Sequence, residues 1–529
     1  MPFVLALAAA SAPIDYRVSL SAGPEAPTVS VAMTFTGDAD GETDIDLPAR
    51  WAGSAELWRA LGRPEVRGAR LAEGGTPERW RLRHLPNARI TLRYTVADGR
   101  PGVPDAATHE KARPAIERDW LAIHAQGAIA VPHGRDAAPA RFAIGPVAPG
   151  WQLVSDLTRP GPLTAGQVAE GMIVGGTALR VATRRVGTGT LKVAIVGAWP
   201  FADAALAMSV AQLMRTENAM LAAPDIDFLV TLTPLAGSAS GAISHGGTGT
   251  TGGFAMEATD NVPLDELTRT LAHEYAHRWF GRGFGPVDDG AGPYWFTEGV
   301  NDWFAARAMV RARLWSNADW ARQLNTVLLR YGASTARALS DADLSAQFWT
   351  NPDAMQVQYD RGFLAALLLD RQVPLLPVLR RMAREPATAS QDRRFTALAG
   401  TEAVATARAA TARPLAADVL APCGSLLTVT RPAYDRGFDT DDARTVTAVR
   451  TRAARDAGIR PGMRYIRRIA FEHLDSTVPW VAEFADGAGL RTLRWLPAGD
   501  ATVTFQQLDS AAIDTVACDA LIAGAPATP

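Results

Sequence analysis

Lysine is almost missing from this 529-residue chain: Lys111 and Lys192 are the only two, and the rest of the 53 basic residues are arginine. With 55 acidic residues the formal net charge is −2 and no basic block stands out, so nothing suits a nucleic-acid backbone. Cysteine is scarce too. Cys423 and Cys518 lie near the C-terminus with neither C-x-x-C spacing nor neighbouring histidines, so they do not resemble a metal site. In an exported protein the two form one disulfide; in the cytosol they stay thiols. No internal segment is long and apolar enough to span a membrane. There is no internal repeat and no low-complexity tract. Histidine is rare as well, with eight in the chain, so any clustering of histidines carries weight.

What is present is ample apolar content, 47%, enough for the cores of about two to four domains. The chain begins MPFVLALAAASAPIDY. Its apolar run from Phe3 to Ala10, ending in small residues, has the form of a signal peptide over 1–12 and predicts a periplasmic or secreted protein. Residues 13–155 alternate apolar and polar positions in short runs (YRVSLSA, TVSVAMTF, ARITLRYTV), which predicts an N-terminal antiparallel β domain. From 156 to 415 strand-like runs come first and helical patterns follow, an α+β arrangement. Beyond, over 416–529, short strands return: LLTVTRP, RTVTAVRT, RYIRRIAF, LRTLRWL, TVTFQQL.

LAHEYAHRWFG, residues 271–281, places His273 and His277 four apart with Glu274 directly after the first. With so few histidines, H-E-x-x-H arises by chance only about once in a hundred such chains. On a helix, positions i and i+4 share one face, so both rings can address a single ion, and Glu274 sits close enough to serve as the base for a water there. Pro263, Asp265 and Glu266 suit the first turn of that helix, and Gly281 its end. Two histidines hold zinc poorly, and YWFTEGVNDWF supplies a third candidate ligand in Glu298. Asp302, four residues on, faces the same side and suits the free N–H of a ligand histidine, fixing its tautomer.

HEYAHRWFG, WFTEGVNDWF and YDRGFLAALLLD together resemble the gluzincin metallopeptidases, the clan of thermolysin. Within that clan the pattern is most similar to the glycyl aminopeptidase family, whose members carry a β domain, a thermolysin-like catalytic domain and a C-terminal PDZ domain. The resemblance implies one Zn2+ per chain held by His273, His277 and Glu298, with Glu274 as general base and a peptide or protein as substrate. It also implies that Tyr359, in a Y-x-[KR]-G motif 61 residues after Glu298, stabilises the oxyanion. For the C-terminal region it implies a PDZ-like domain, with Gly437 and Phe438 in the loop that captures a chain-end carboxylate.

Aminopeptidases of this clan hold the substrate amine with a glutamate in a Gly-rich motif. GGFAMEATDN offers Glu257, but only 16 residues before His273, about half the usual gap. The better-spaced HGGTGT, with Gly246 and Gly247, has no acid, and is expected to form an edge strand for an extended substrate. The reading is a zinc peptidase, aminopeptidase-like by family. Spacing leans toward cleavage of amine-blocked peptides, hence an endopeptidase. A non-catalytic PDZ peptide-binding protein is the rival of another class.

Overall fold

The computed structural model describes residues 12–523 apart from 24, 52–53, 73–75, 100–111, 238–240, 242, 288–293, 472–473, 511–512 and 514. The signal-peptide expectation therefore lies outside the described residues. The chain divides into two compact units. The first holds 1–207, 226–237 and 243–262; the second holds 208–225, 238–242 and 263–529.

In the first unit, period-two alternation does what it predicts. Ile14–Ser21 and Thr28–Thr36 pair antiparallel, burying Ile14, Tyr16, Val18 and Leu20 against Val29, Val31, Met33 and Phe35. Arg89–Val96 extends the sheet on the far side of Thr28–Thr36. The domain is not purely antiparallel, because Pro139–Ile144 runs parallel to Ile14–Ser21. Nor does it stop at 155: Leu163–Thr164 pairs with Pro139–Ile144, and Met172–Gly176 pairs with both Trp120–His124 and Gln152–Ser155. Local alternation gives no sign of that last strand, which is buried throughout and so shows no period of two.

A five-stranded sheet completes this unit, in the order Arg180–Val186, Gly189–Ile195, Phe228–Leu235, Gly253–Thr259, His245–Gly249. Its two inner pairings are parallel and its two outer ones antiparallel. The helix Asp203–Leu221 lies between the second and third strands in the chain, as a parallel crossover requires. The glycine-rich His245–Gly249 is the edge strand its sequence predicts.

The second unit is built from helices, chiefly Leu264–Ala276, Asn301–Arg311, Asn317–Ala333 and Pro352–Asp370, followed by the C-terminal strands. The residues on both sides of the expected boundary at 415/416 fall in the same compact unit. Asn325 on the helix Asn317–Ala333 accepts from the Leu508 N–H at 2.7 Å, and Gln506 bonds both backbone groups of Leu415. Cys423 and Cys518 are disulfide-bonded. Among the described residues, no single helix is long and apolar enough to cross a membrane.

Candidate metal centre and active site

Leu264–Ala276 carries both histidines on its last turn, with His277 still in the right-handed helical region as its final cap. The chain then turns away through Trp279–Gly283, where Gly281 takes a positive φ of 97° that a residue with a Cβ adopts only under strain. The π-helical turn Trp295–Val300 leads into Asn301–Arg311 and supplies Glu298. Asn301 ties this helix to the first by donating to the His273 carbonyl at 3.0 Å.

Three electron-rich atoms converge here. His273 Nε2 and His277 Nε2 are 3.0 Å apart, and Glu298 Oε2 lies 3.2 Å from the first and 3.4 Å from the second. The other ring nitrogens are already committed. His277 Nδ1 faces the Phe280 carbonyl at 3.0 Å, and a carbonyl only accepts, so Nδ1 carries the proton. His273 Nδ1 faces Asp302 Oδ1 at 2.8 Å and likewise donates to it. Neutral imidazoles with those tautomers aim two bare lone pairs and a carboxylate at one point. That arrangement is repulsive unless a cation stands there.

The triangle also has the right size. Zinc–ligand bonds of about 2.0–2.2 Å in a tetrahedral shell give ligand–ligand edges of roughly 3.3–3.6 Å, so the set closes on zinc with small outward shifts. Burial works against charge on either imidazole, yet the Asp302 and Glu298 carboxylates hold His273 well above the usual histidine range, and Glu298 raises His277. Burial acts to raise Glu298 as well, but His277 and His273 pull its carboxyl far below the usual range. The field that draws a proton into this cluster draws a divalent cation by the same means.

Tyr359 lies on the helix Pro352–Asp370, with its ring stacked on His273 at 5.7 Å between centroids. Burial, then the charges of Glu298 and Asp302, raise the phenol so far that it stays protonated, which keeps it an O–H donor. Glu274 is half-exposed on the two-histidine helix, and its charge is felt at both His277 and Tyr359.

Two features escaped motif reading. Gly299 and Gly362 form a bare backbone crossing: a Cβ on Gly362 would stand 2.0 Å from the Trp295 carbonyl oxygen and 2.7 Å from the Gly299 Cα. The glycines that follow Glu298 and close YDRG therefore let the helix bearing Tyr359 lie on the turn bearing Glu298. The second is Asp360, buried beside Tyr359 and ion-paired with Arg330 at 2.6 Å; burial holds its carboxyl up to about 6 although Arg330 opposes this. The spacing of T-E-G and Y-D-R-G was the available signal for the first; nothing local signalled the second.

The remaining predicted residues belong to other elements. Glu257 is buried on Gly253–Thr259 in the first unit, directly opposite Gly246 in the register, with Gly247 opposite Met256. Gly247 has a packing reason of its own, since a Cβ there would meet the Ala255 carbonyl oxygen at 2.3 Å. Gly437 and Phe438 do not form an open carboxylate-binding loop. The Gly437 N–H already donates to Asp435 Oδ1 at 2.7 Å, and the Phe438 ring is wholly buried in the C-terminal core with Phe484 and Trp495. Asp435 is itself paired with Arg450 at 2.8 Å.

No protein-family model matches the chain, and no curated protein matches it by sequence. Solved structures do match. The structure of an aminopeptidase N family protein from Idiomarina loihiensis superposes with a TM-score of 0.68 over 96% of this chain and 100% of that one, at 13% identity. A variant of an M1 zinc metallopeptidase from Deinococcus radiodurans, bound to a Tyr-Ser-Ala substrate, gives 0.49 over 76% and 93% at 18% identity. Yeast LTA4 hydrolase in complex with bestatin gives 0.45 over 78% and 70% at 15% identity. The first likeness establishes a shared fold; the other two are too distant to carry an argument.

Proposed function

We propose that this protein is a zinc-dependent peptidase of the gluzincin kind, aminopeptidase-type, acting on peptide or protein substrates. The observation that carries the reading is the convergence of His273 Nε2, His277 Nε2 and Glu298 Oε2, with both Nδ1 atoms already bound. Zinc held there supplies Lewis acidity toward a water and a carbonyl oxygen. Glu274 takes the proton of the attacking water and passes it to the departing nitrogen, which leaves as an amine. The Tyr359 O–H donates to the carbonyl oxygen as it gains charge. Asp302 and the Phe280 carbonyl keep the two rings in the tautomer that leaves Nε2 free.

A second reading, an endopeptidase, is favoured by the 16-residue interval from Glu257 to His273. That interval is short because only residues 260–263 separate the strand Gly253–Thr259 from the helix Leu264–Ala276. A purely peptide-capturing protein is disfavoured, because every group the chemistry needs is present. The C-terminal strands fit a PDZ-like module that braces the helices, with Asp435 filling its loop. The bonded Cys423–Cys518 pair supports export.

The test is metal content with turnover. Wild type should hold about one zinc per chain and His277→Ala should lose it. Glu274→Gln should keep the metal and lose most turnover. Full activity without metal, or an active Glu274→Gln, would place the chemistry elsewhere.

A further inference from the structure

Arginines gather on the second unit in a place the peptidase chemistry does not use. Arg215 belongs to the helix Asp203–Leu221, Arg311 ends Asn301–Arg311, and Arg380 lies in Leu375–Arg384. The three line one cavity of about 480 Å3 together with the polar side chains of Gln212 and Thr216, and among the described residues no acid lines it. A neighbouring cavity of about 400 Å3 shares Arg311 and Arg380 and adds Arg307 and Arg371. Its one acid is already engaged: Asp370 is 2.7 Å from Arg307 Nη2 and accepts from the Leu375 N–H at 2.8 Å.

Two of the guanidinium groups are held by backbone. Arg380 Nε donates to the Met220 carbonyl at 2.7 Å, and Arg311 Nη1 donates to the Ala523 carbonyl at 3.1 Å. Each bond uses one N–H and sets the plane of the fork, leaving other N–H groups on the same guanidinium. Burial disfavours charge on Arg311, and Arg307 and Arg380 repel it further, so its pKa is lowered. Because all but two of the basic residues in this chain are arginine, its mere use here says little. The convergence of three guanidinium groups on one cavity whose lining holds no carboxylate says more, since an anion placed there meets all three.

We infer that the cavity bounded by Arg215, Arg311 and Arg380 binds a phosphate-type oxyanion, taken up free or presented as the headgroup of an anionic lipid. Planar guanidinium forks match tetrahedral oxyanions by paired N–H···O bonds.

The experiment uses the full chain at low ionic strength in two arms. One is calorimetric titration with potassium phosphate, against potassium chloride of equal ionic strength. The other is co-sedimentation with phosphatidylglycerol vesicles, against phosphatidylcholine. Each arm is run on wild type, Arg215→Gln, Arg380→Gln and a control on the strand Arg180–Val186, Arg184→Gln. Arg215 is exposed, so its variant should fold even if Arg380→Gln does not. Saturable binding in either arm is expected, weakened about tenfold by Arg215→Gln or Arg380→Gln, as loss of one charge-assisted partner implies, and unchanged by Arg184→Gln. The arm that responds identifies the source of the oxyanion. Absence of binding in both arms, or equal weakening by Arg184→Gln, would overturn the assignment.

Discussion

Replacing Gly362 with alanine sets two forces against each other. Gly362 is inside the helix Pro352–Asp370, where alanine is favoured over glycine by about 1 kcal/mol on propensity alone. The new Cβ, however, would stand 2.0 Å from the Trp295 carbonyl oxygen and 2.7 Å from the Gly299 Cα, and neither is a side chain that can swing aside. The helix carrying Tyr359 and the turn carrying Glu298 must therefore part by about 1 Å or more, at an overpacking cost of about 1–3 kcal/mol. Catalysis is the more sensitive readout, since a misplacement of about 1 Å can cost about 10²-fold in rate. The assay is kcat on a peptide substrate, read beside zinc content and Tm. A folded variant with a lowered Tm and kcat reduced about 10²-fold is expected. Turnover within roughly threefold of wild type, or the higher Tm that propensity alone favours, would refute the claim that this crossing positions Tyr359.

Tyr359→Phe removes one O–H with little change in volume, so it should fold, keep zinc and lose about 10²–10³ in kcat; a change confined to KM would make the tyrosine a binding residue. If Glu257 holds the substrate amine, N-acetylation of a peptide should abolish its cleavage and Glu257→Ala should impair free-amine peptides selectively. Equal cutting of blocked and free peptides would establish the endopeptidase reading. Glu217 is fully buried, neither of its carboxyl oxygens has a hydrogen-bond partner among the described residues, and burial raises it well above the usual carboxylate range. The folded state thus keeps this proton while the unfolded chain releases it, so the stability it contributes is greatest below about pH 4.3 and falls as pH rises above that. Glu217→Leu should accordingly raise stability by about 1–3 kcal/mol at pH 7.5 and by less at pH 4, as denaturant titration at the two values would show.

Local sequence was sufficient wherever a property repeats along one element. Period-two alternation located Ile14–Ser21, Thr28–Thr36 and Arg89–Val96, because each strand has one buried face. Two histidines at i and i+4 announced a shared ligand face because helix geometry alone brings them together. Glu298 and Asp302 were legible for the same reason, being four apart on one helical stretch.

Other features depend on which elements meet, and only the tertiary structure decided them. Met172–Gly176 is buried on both faces, so no alternation marked it as part of the N-terminal sheets. The Asp435 carboxylate that occupies the Gly437 N–H is set by a turn whose sequence reads equally well as an open loop. Phe280 supplies a carbonyl to His277 only because Gly281 reverses the chain. The Gly299–Gly362 crossing joins residues 63 positions apart, and its function is absence of volume, which neither hydrophobic pattern nor charge reveals. Sequence determined which groups could bind a metal. The approach of two backbones, permitted by two missing side chains, decided that Tyr359 would stand over them.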